Sequence, residues 1–528
     1  MPLGFSKAAL LGASSGGASE HWIGLFDSNT TYYANGPGGQ VVDSDDNIYV
    51  VYQTYGSFDG SLANQYMPFN ARLDKEGELS WGKALGPATN GQLYLKPAWP
   101  HSLALKSETN NLVISSALGS GGQFGNDTGY TNNNPWLWVD VNESTGAIGE
   151  DVAYYRQYSG TIWDYGILAA ESHTISGTEY VYANYRMGDG SGGNSALGLM
   201  RYECDSGGGF GSHTNYLMYR SGLGQNIYVG TGNSCAHSTD SSGDERFATI
   251  GYQYKSGGTG YWGWAAFVPY IQLFDEDGAN RNSIMWSYNG GTSQHGYPYG
   301  IAMDSSHNAY TCGMFNNSSS QANIQINKFN SSANQQSGDG FPRQWKGDGT
   351  GGNYLYSIIQ DSSGNFYAAG SVNINHDSVN NTSRAVIVKF NSSMTPQWWR
   401  AIDVDPVSGS SSRSSGANGQ NCIHLNSDGN LVVSFTTGIN EYTQMGVAVL
   451  PADGTGTGTY TVNGHTIDYI DIDSKMTETT SSDWSSGWLA ETAFTGNIGS
   501  ASTDTHNLTP GQRTGTYVPS SFHVKGVS

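Results

Sequence analysis

Carboxylates return at one fixed place along this 528-residue chain. Asp43, Asp304 and Asp361 each open a short Ser/Asp/Gly turn that closes on Asn, Asn426 opens a fourth copy, and Asp240 a weaker fifth. Two chemistries use carboxylates in this way. A pair flanking a sugar linkage can hydrolyse it, and several within one turn can hold a hard cation such as calcium. The calcium candidates are Asp43 and Asp45 in Asp43-Ser-Asp-Asp-Asn47, and Asp275 and Asp277 in Asp275-Glu-Asp-Gly278. Neither turn follows the twelve-residue EF-hand spacing. A carboxylate that recurs at the same point of successive units is the mark of turn capping, because Asp and Asn bond the backbone two residues on. Calcium is therefore the one cofactor the turns could take, and capping is the stronger reading.

Contiguous catalytic signatures are missing. The chain holds no His-Glu-x-x-His helix, no Gly-x-Ser-x-Gly elbow, no phosphate loop and no Ser-x-Asp-x-Gly-x-Thr-Trp sialidase box. Its twelve histidines show no ligand spacing. These absences predict a protein that is not an enzyme, with no catalytic residue to name.

The other candidate site is aromatic. Tyr94, Trp99, Trp163, Tyr165, Tyr297, Tyr299, Tyr354 and Tyr356 fall between the recurring turns, and Tyr261, Trp262 and Trp264 fall in one long loop candidate. Exposed Tyr and Trp with Asn, Gln and Ser nearby suit glycan stacking or protein contact. The plainer alternative is that these rings cap sheet ends.

The elements that carry these residues form a repeat. Gly300-Ile-Ala-Met-Asp-Ser-Ser-His-Asn-Ala-Tyr310 returns as Ser357-Ile-Ile-Gln-Asp-Ser-Ser-Gly-Asn-Phe-Tyr367, and earlier as Gln40-Val-Val-Asp-Ser-Asp-Asp-Asn-Ile-Tyr49. With degenerate copies near Lys106 and Glu171, the period averages about 64 residues. Alternating segments such as Ile326-Asn-Lys-Phe-Asn330 and Ile387-Val-Lys-Phe-Asn391 follow at a similar offset, and Trp81, Trp286, Trp345, Trp398 and Trp399 follow those. Period-two alternation with aromatic and β-branched residues predicts four short strands per unit, A to D, with A–B and C–D turns on one face.

The fold class predicted is all-β: a seven-bladed β-propeller of four-stranded antiparallel blades. His21-Trp-Ile-Gly-Leu-Phe26 has no strand A, B or C before it, so it is predicted to close the ring as the outer strand of the last blade. Eight blades are the alternative, from a faint unit at Asp483-Trp-Ser-Ser-Gly-Trp-Leu489. The domains are an N-terminal arm (1–20), the propeller (21–462) and a C-terminal arm or extension (463–528).

A net charge of −21 with only 23 Lys and Arg argues against a nucleic-acid surface. Four cysteines without close spacing exclude a CxxC site. No stretch reaches the 18 or so apolar residues of a membrane span, and residues 1–14 are too weakly apolar for a secretory signal.

The unit Asp-Ser-Ser-Gly-Asn-x-Tyr, followed by Ile-x-Lys-Phe-Asn-Ser-Ser and a Trp, resembles the bacterial and viral β-propeller repeat over about residues 22–462. The opening Met1-Pro-Leu-Gly-Phe-Ser-Lys7 is similar to the start of propeller-type virion structural proteins of marine tailed phages, especially cyanophages. The resemblance implies a virion protein on the tail, a fibre or the capsid exterior, assembled in the host cytoplasm. It would act as a non-enzymatic interaction platform, binding other virion proteins through its arms, with a host-surface glycan or receptor and self-association as further contacts. A lectin-like carbohydrate-binding propeller is the alternative, and a polysaccharide-active glycosidase the remote one.

Overall fold

The computed structural model describes residues 20–26, 33–56, 65–85, 102–106, 111–117, 136–156, 162–175, 177–189, 195–204, 210–220, 227–229, 235–255, 266–275, 280–285, 295–316, 322–332, 336, 340–376, 379–404, 414–417, 419, 421–439, 442–479, 512–513 and 522–527. Among these the chain is all-β, with one 3-10 turn at Asp473–Lys475 and no α-helix. The strands form seven antiparallel sheets, numbered here in chain order: residues 33–85, 102–156, 162–220, 227–285, 295–347, 354–404 and 414–450. Each keeps the order A-B-C-D, with strand A in two pieces in sheets four and seven.

The turns explain why the strands fold back where they do. In sheet six the Asp361 Oδ1 accepts the amides of Ser363 and Asn365, at 2.9 and 2.8 Å, while Oδ2 accepts the Asn365 side chain at 2.9 Å. The same two amide bonds form at Asp43, Asp240 and Asp304, and on the C–D turns at Asp74 and Asn391. The residue six after the Asp adds a further link: the hydroxyls of Tyr49 and Tyr310 reach Asp43 and Asp304 at 2.9 and 3.2 Å. Strand C then lays a cation over each tyrosine, Arg72 over Tyr49 and Lys328 over Tyr310, in direct cross-strand register.

The recurrent tryptophans join one sheet to the next. Trp81 of sheet one donates its indole N–H to the Glu143 carbonyl in the C–D turn of sheet two, at 2.7 Å, and its ring covers Gly146. Trp398 of sheet six covers Gly454, just beyond strand C of sheet seven, in the same way. Trp22 does so across the two ends of the chain. Strand Trp22–Phe26 pairs antiparallel with Tyr442–Leu450 as the fourth strand of sheet seven, and the Trp22 indole donates to the Lys75 carbonyl of sheet one. Trp22 and Phe26 share one core with Ile48, Val50 and Phe69 of sheet one and Val432, Val447 and Val449 of sheet seven. Each such apolar side chain contributes roughly 1.5–3 kcal/mol on burial.

Residues beyond 457 pair along outer edges. A hairpin of Gly458–Val462 and His465–Asp471, turned by Asn463 and Gly464 at positive φ, extends sheet six along Pro396–Val404. Met476–Thr479 extends sheet five, Gln512–Arg513 sheet one, and Phe522–Gly526 sheet seven, where it pairs with Trp22–Phe26. The position 462/463, read from sequence as the start of an arm, lies at this hairpin turn. Arg343 grips Glu478 with two bonds of 2.9 and 3.0 Å where the added strand meets sheet five. Covering an edge in this way satisfies the row of backbone groups it would otherwise expose.

Candidate functional site

A cavity of about 490 Å³ is walled by the A strands of all seven sheets, at the end where those strands run into the A–B turns. Its apolar wall includes Val41, Leu105, Met303 and Ile359, and its polar groups are Glu171, Ser172, His237, Gln360, Asn421 and His424. Strand alternation places them there: each sheet presents the last inward residues of its first strand.

Two carboxylate–imidazole couples stand where sheets three and four meet. Glu171 Oε2 lies 3.4 Å from His237 Nδ1, and Glu245 Oε1 lies 3.1 Å from His173 Nε2. The His173 and His237 rings are 3.9 Å apart between centroids, and Phe247 stacks on Tyr182 beside them at 4.0 Å. Burial, then the neighbouring His237, lowers the pKa of His173 despite Glu245. An imidazole facing a carboxylate is a pairing that can pass a proton between its members.

His424 sits on the opposite side of the wall. Its Nε2 lies 3.1 Å from the Gln40 carbonyl of sheet one, and the Gln40 side chain donates to the Val432 carbonyl of sheet seven at 2.7 Å. Desolvation pushes the pKa of His424 down to about 4. Burial also pushes the Cys422 thiol up to about 12 and raises that of Cys312, so both thiols behave as small apolar groups.

Four of the aromatic residues singled out from sequence come together. Tyr299 stacks on Tyr356 at 4.8 Å and on Tyr297 at 6.2 Å, and Tyr354 lies 6.0 Å from Tyr356. All four begin the A strands of sheets five and six, upstream of the residues that wall the cavity. Trp163 and Tyr165 lie on strand Ile162–Ile175, of whose first residues only the backbone is described. Tyr94, Trp99, Tyr261, Trp262 and Trp264 lie outside the described residues.

Of the calcium candidates, Asp43 has both oxygens engaged: Oδ1 accepts the amides of Asp45 and Asn47, and Oδ2 the Asn47 amide group and the Tyr49 hydroxyl. Asp45 is exposed on the same turn. Asp275 ends a strand with its side chain undescribed, and Asp277 lies outside the described residues.

The groups missed from sequence are Glu171, His173, His237, Glu245 and His424. Their signal was the period itself. Glu171 and His237 are 66 residues apart, close to one repeat, and a residue one repeat away is the neighbour on the next sheet.

No family model matches the chain, and no curated protein matches it in sequence. Among solved structures it is similar to a polysaccharide lyase at 9% identity, covering 79% of this chain and 90% of that one, with a TM-score of 0.45. An alpha-L-arabinofuranosidase from Fusarium graminearum matches at 11% identity, 71% and 98% coverage and a TM-score of 0.37. A sialidase from Streptococcus pneumoniae matches at 10% identity, 84% and 72% coverage and a TM-score of 0.37. The expectation that the chain is not an enzyme is withdrawn on this finding: the three structures named are a lyase, an arabinofuranosidase and a sialidase. The physical reason the sequence search had nothing to weigh is that Glu171 and His237 lie 66 residues apart, where no contiguous motif reaches. None of these three is a virion protein.

Proposed function

We propose that the seven sheets are the blades of one propeller, closed by strand Trp22–Phe26, and that the ring binds carbohydrate. The tyrosine cluster Tyr297, Tyr299, Tyr354 and Tyr356 is the observation that carries the binding half. Stacked, half-buried phenol rings offer flat apolar faces for the C–H faces of sugars, with hydroxyls at their edges for polar contacts. Supporting the ring is the unbroken succession of strand-A contacts from sheet to sheet, returning from sheet seven to sheet one.

The cluster and the cavity are two ends of the same strands, since Tyr299 and Met303 are four residues or about 13 Å apart along strand A. A bound chain entering past the tyrosines would meet Glu171 and His237, a carboxylate and an imidazole able to move protons. The reading therefore covers turnover as well as binding. Its test is a glycan array together with release of reducing ends from polysaccharides. Wild type should retain a glycan that Tyr299→Ala and Tyr354→Ala each bind at least about fivefold more weakly, each stacked ring contributing about 1 kcal/mol or more. Retention of no glycan, or unchanged retention by both variants, overturns it.

A second reading, a component of a virus particle, is supported by the repeat and by the opening residues Met1 to Lys7. Mass spectrometry of purified particles tests it, and particles lacking the chain would remove it. Among the described residues no helix is long and apolar enough to cross a membrane.

A further inference from the structure

We propose that Asp240, Asp244 and His307 form a binding site for a divalent transition-metal ion of the zinc type, tying the A–B turns of sheets four and five together. One ligand atom from each residue lies within 4.8 Å of the others. His307 Nε2 is 3.6 Å from Asp240 Oδ2 and 3.8 Å from Asp244 Oδ2. Those separations exceed a hydrogen bond. They approach the roughly 3.3–3.5 Å between neighbouring ligands of a tetrahedral ion whose bonds are about 2.0–2.2 Å. A contraction of a few tenths of an ångström would bring both histidine edges to that spacing.

The buried nitrogen is the second observation. The His307 side chain is only 6% exposed, yet its Nε2 has no hydrogen-bond partner and faces the two carboxylates. Its other nitrogen, Nδ1, meets the Ser238 hydroxyl at 2.8 Å. When Nδ1–H donates to Ser238, Nε2 presents a lone pair to two anions, an arrangement that a cation between them would relieve.

His307 and Asp240 are each held through the atom that does not face the site, as ligating groups require. Asp240 Oδ1 accepts the amides of Ser242 and Asp244, at 2.8 and 2.9 Å, leaving Oδ2 to face His307. Arg246, anchored on the Ser331 carbonyl at 3.3 Å, donates to Asp244 Oδ2 itself at 3.1 Å, so an ion would share that oxygen with the guanidinium or take the other oxygen of the carboxylate. The Asp240 and Asp244 side chains are 26% and 39% exposed, so an ion has a path in and a water can complete its shell. An imidazole nitrogen with two carboxylate oxygens suits zinc or manganese better than calcium, which takes oxygen alone.

The backbone fits a side chain kept for a purpose. His307 occupies the turn position that is Gly243, Gly364 or Gly429 in three other sheets, and it holds φ at +61° there. A bulky residue at positive φ is uncommon and strained, and such strain persists where the side chain makes contacts that hold it.

The test is a zinc titration of the full chain without a histidine tag, read by equilibrium dialysis and by thermal unfolding after chelator treatment. One equivalent should bind and raise the unfolding midpoint, and Asp244→Asn should weaken binding at least about tenfold while leaving the circular dichroism spectrum unchanged. His307→Gln should do the same. Should that buried change impair folding, the half-exposed Asp244→Asn decides alone. No retained zinc and no midpoint shift in wild type, or binding that both variants keep, overturns the site.

Discussion

Ser427 donates both its amide and its hydroxyl to Asp46, at 2.8 Å to Oδ1 and 2.7 Å to Oδ2, across 381 residues of chain. Asp46 is in the same turn position as His307 and holds φ at +63°, so here too a side chain replaces the usual glycine and reaches the neighbouring sheet. Ser427→Ala should cost about 1–3 kcal/mol, the worth of a bond to a charged group. That change leaves the amide bond in place; Asp46→Gly removes both bonds but relieves the backbone by about 1–2 kcal/mol, so its loss should be no larger. Urea unfolding midpoints of the two variants check the order.

Gly146→Ala tests the tryptophan contact. A methyl there would come within 2.6 Å of the Trp81 ring, at φ +64°. Strain and overlap together predict a loss of about 2–4 kcal/mol. Gly177→Ala is the control: φ is +84° but nothing lies within 4 Å, so only the backbone share, about 1–2 kcal/mol, should appear.

The turns were legible in the sequence because their physics is local. Asp361, Asn365 and Tyr367 lie within seven residues, and one spacing carries both the cap and the strand that follows. Trp81 was legible as a signature but its meaning was not, since its partner Glu143 lies on another unit. The tyrosines were found by type and proved to cluster, because Tyr299 and Tyr356 begin adjacent strands. His173 and His307 read as scattered for the same reason that Trp81 read as unexplained. Their partners are near in space only after the sheets pack, and residue spacing within a unit carries no trace of that.

Arg384 and Asp403 form a buried pair, at 0% and 1% side-chain exposure and 2.7 Å apart. Arg384→Met or Asp403→Leu alone should destabilise by about 3–5 kcal/mol, by leaving one charge in the core unopposed. The double variant Arg384→Met, Asp403→Leu should recover much of that loss. A double-mutant cycle by chemical denaturation measures the coupling.

Stability should fall on the acid side through His424. Its pKa is about 4 in the fold, below the 6.5 or so of an unfolded chain, so the fold holds the neutral ring. The contribution is complete above about pH 6.5, is lost as pH drops toward 4, and levels off below that. The span is worth at most about 3 kcal/mol. His424→Gln should flatten this part of the stability curve, and unfolding midpoints from pH 7 to 4 measure it.

Strand Phe522–Gly526 runs antiparallel to Trp22–Phe26 with Gly526 opposite Trp22, so the chain leaves both strands at the same end. Tension applied through Glu20 and Val527 would therefore load the bonds of this pair one after another, as a zipper is opened, and never all together in shear. Pulled from its two ends, the molecule should release its last strand at low force while the sheets beneath remain folded.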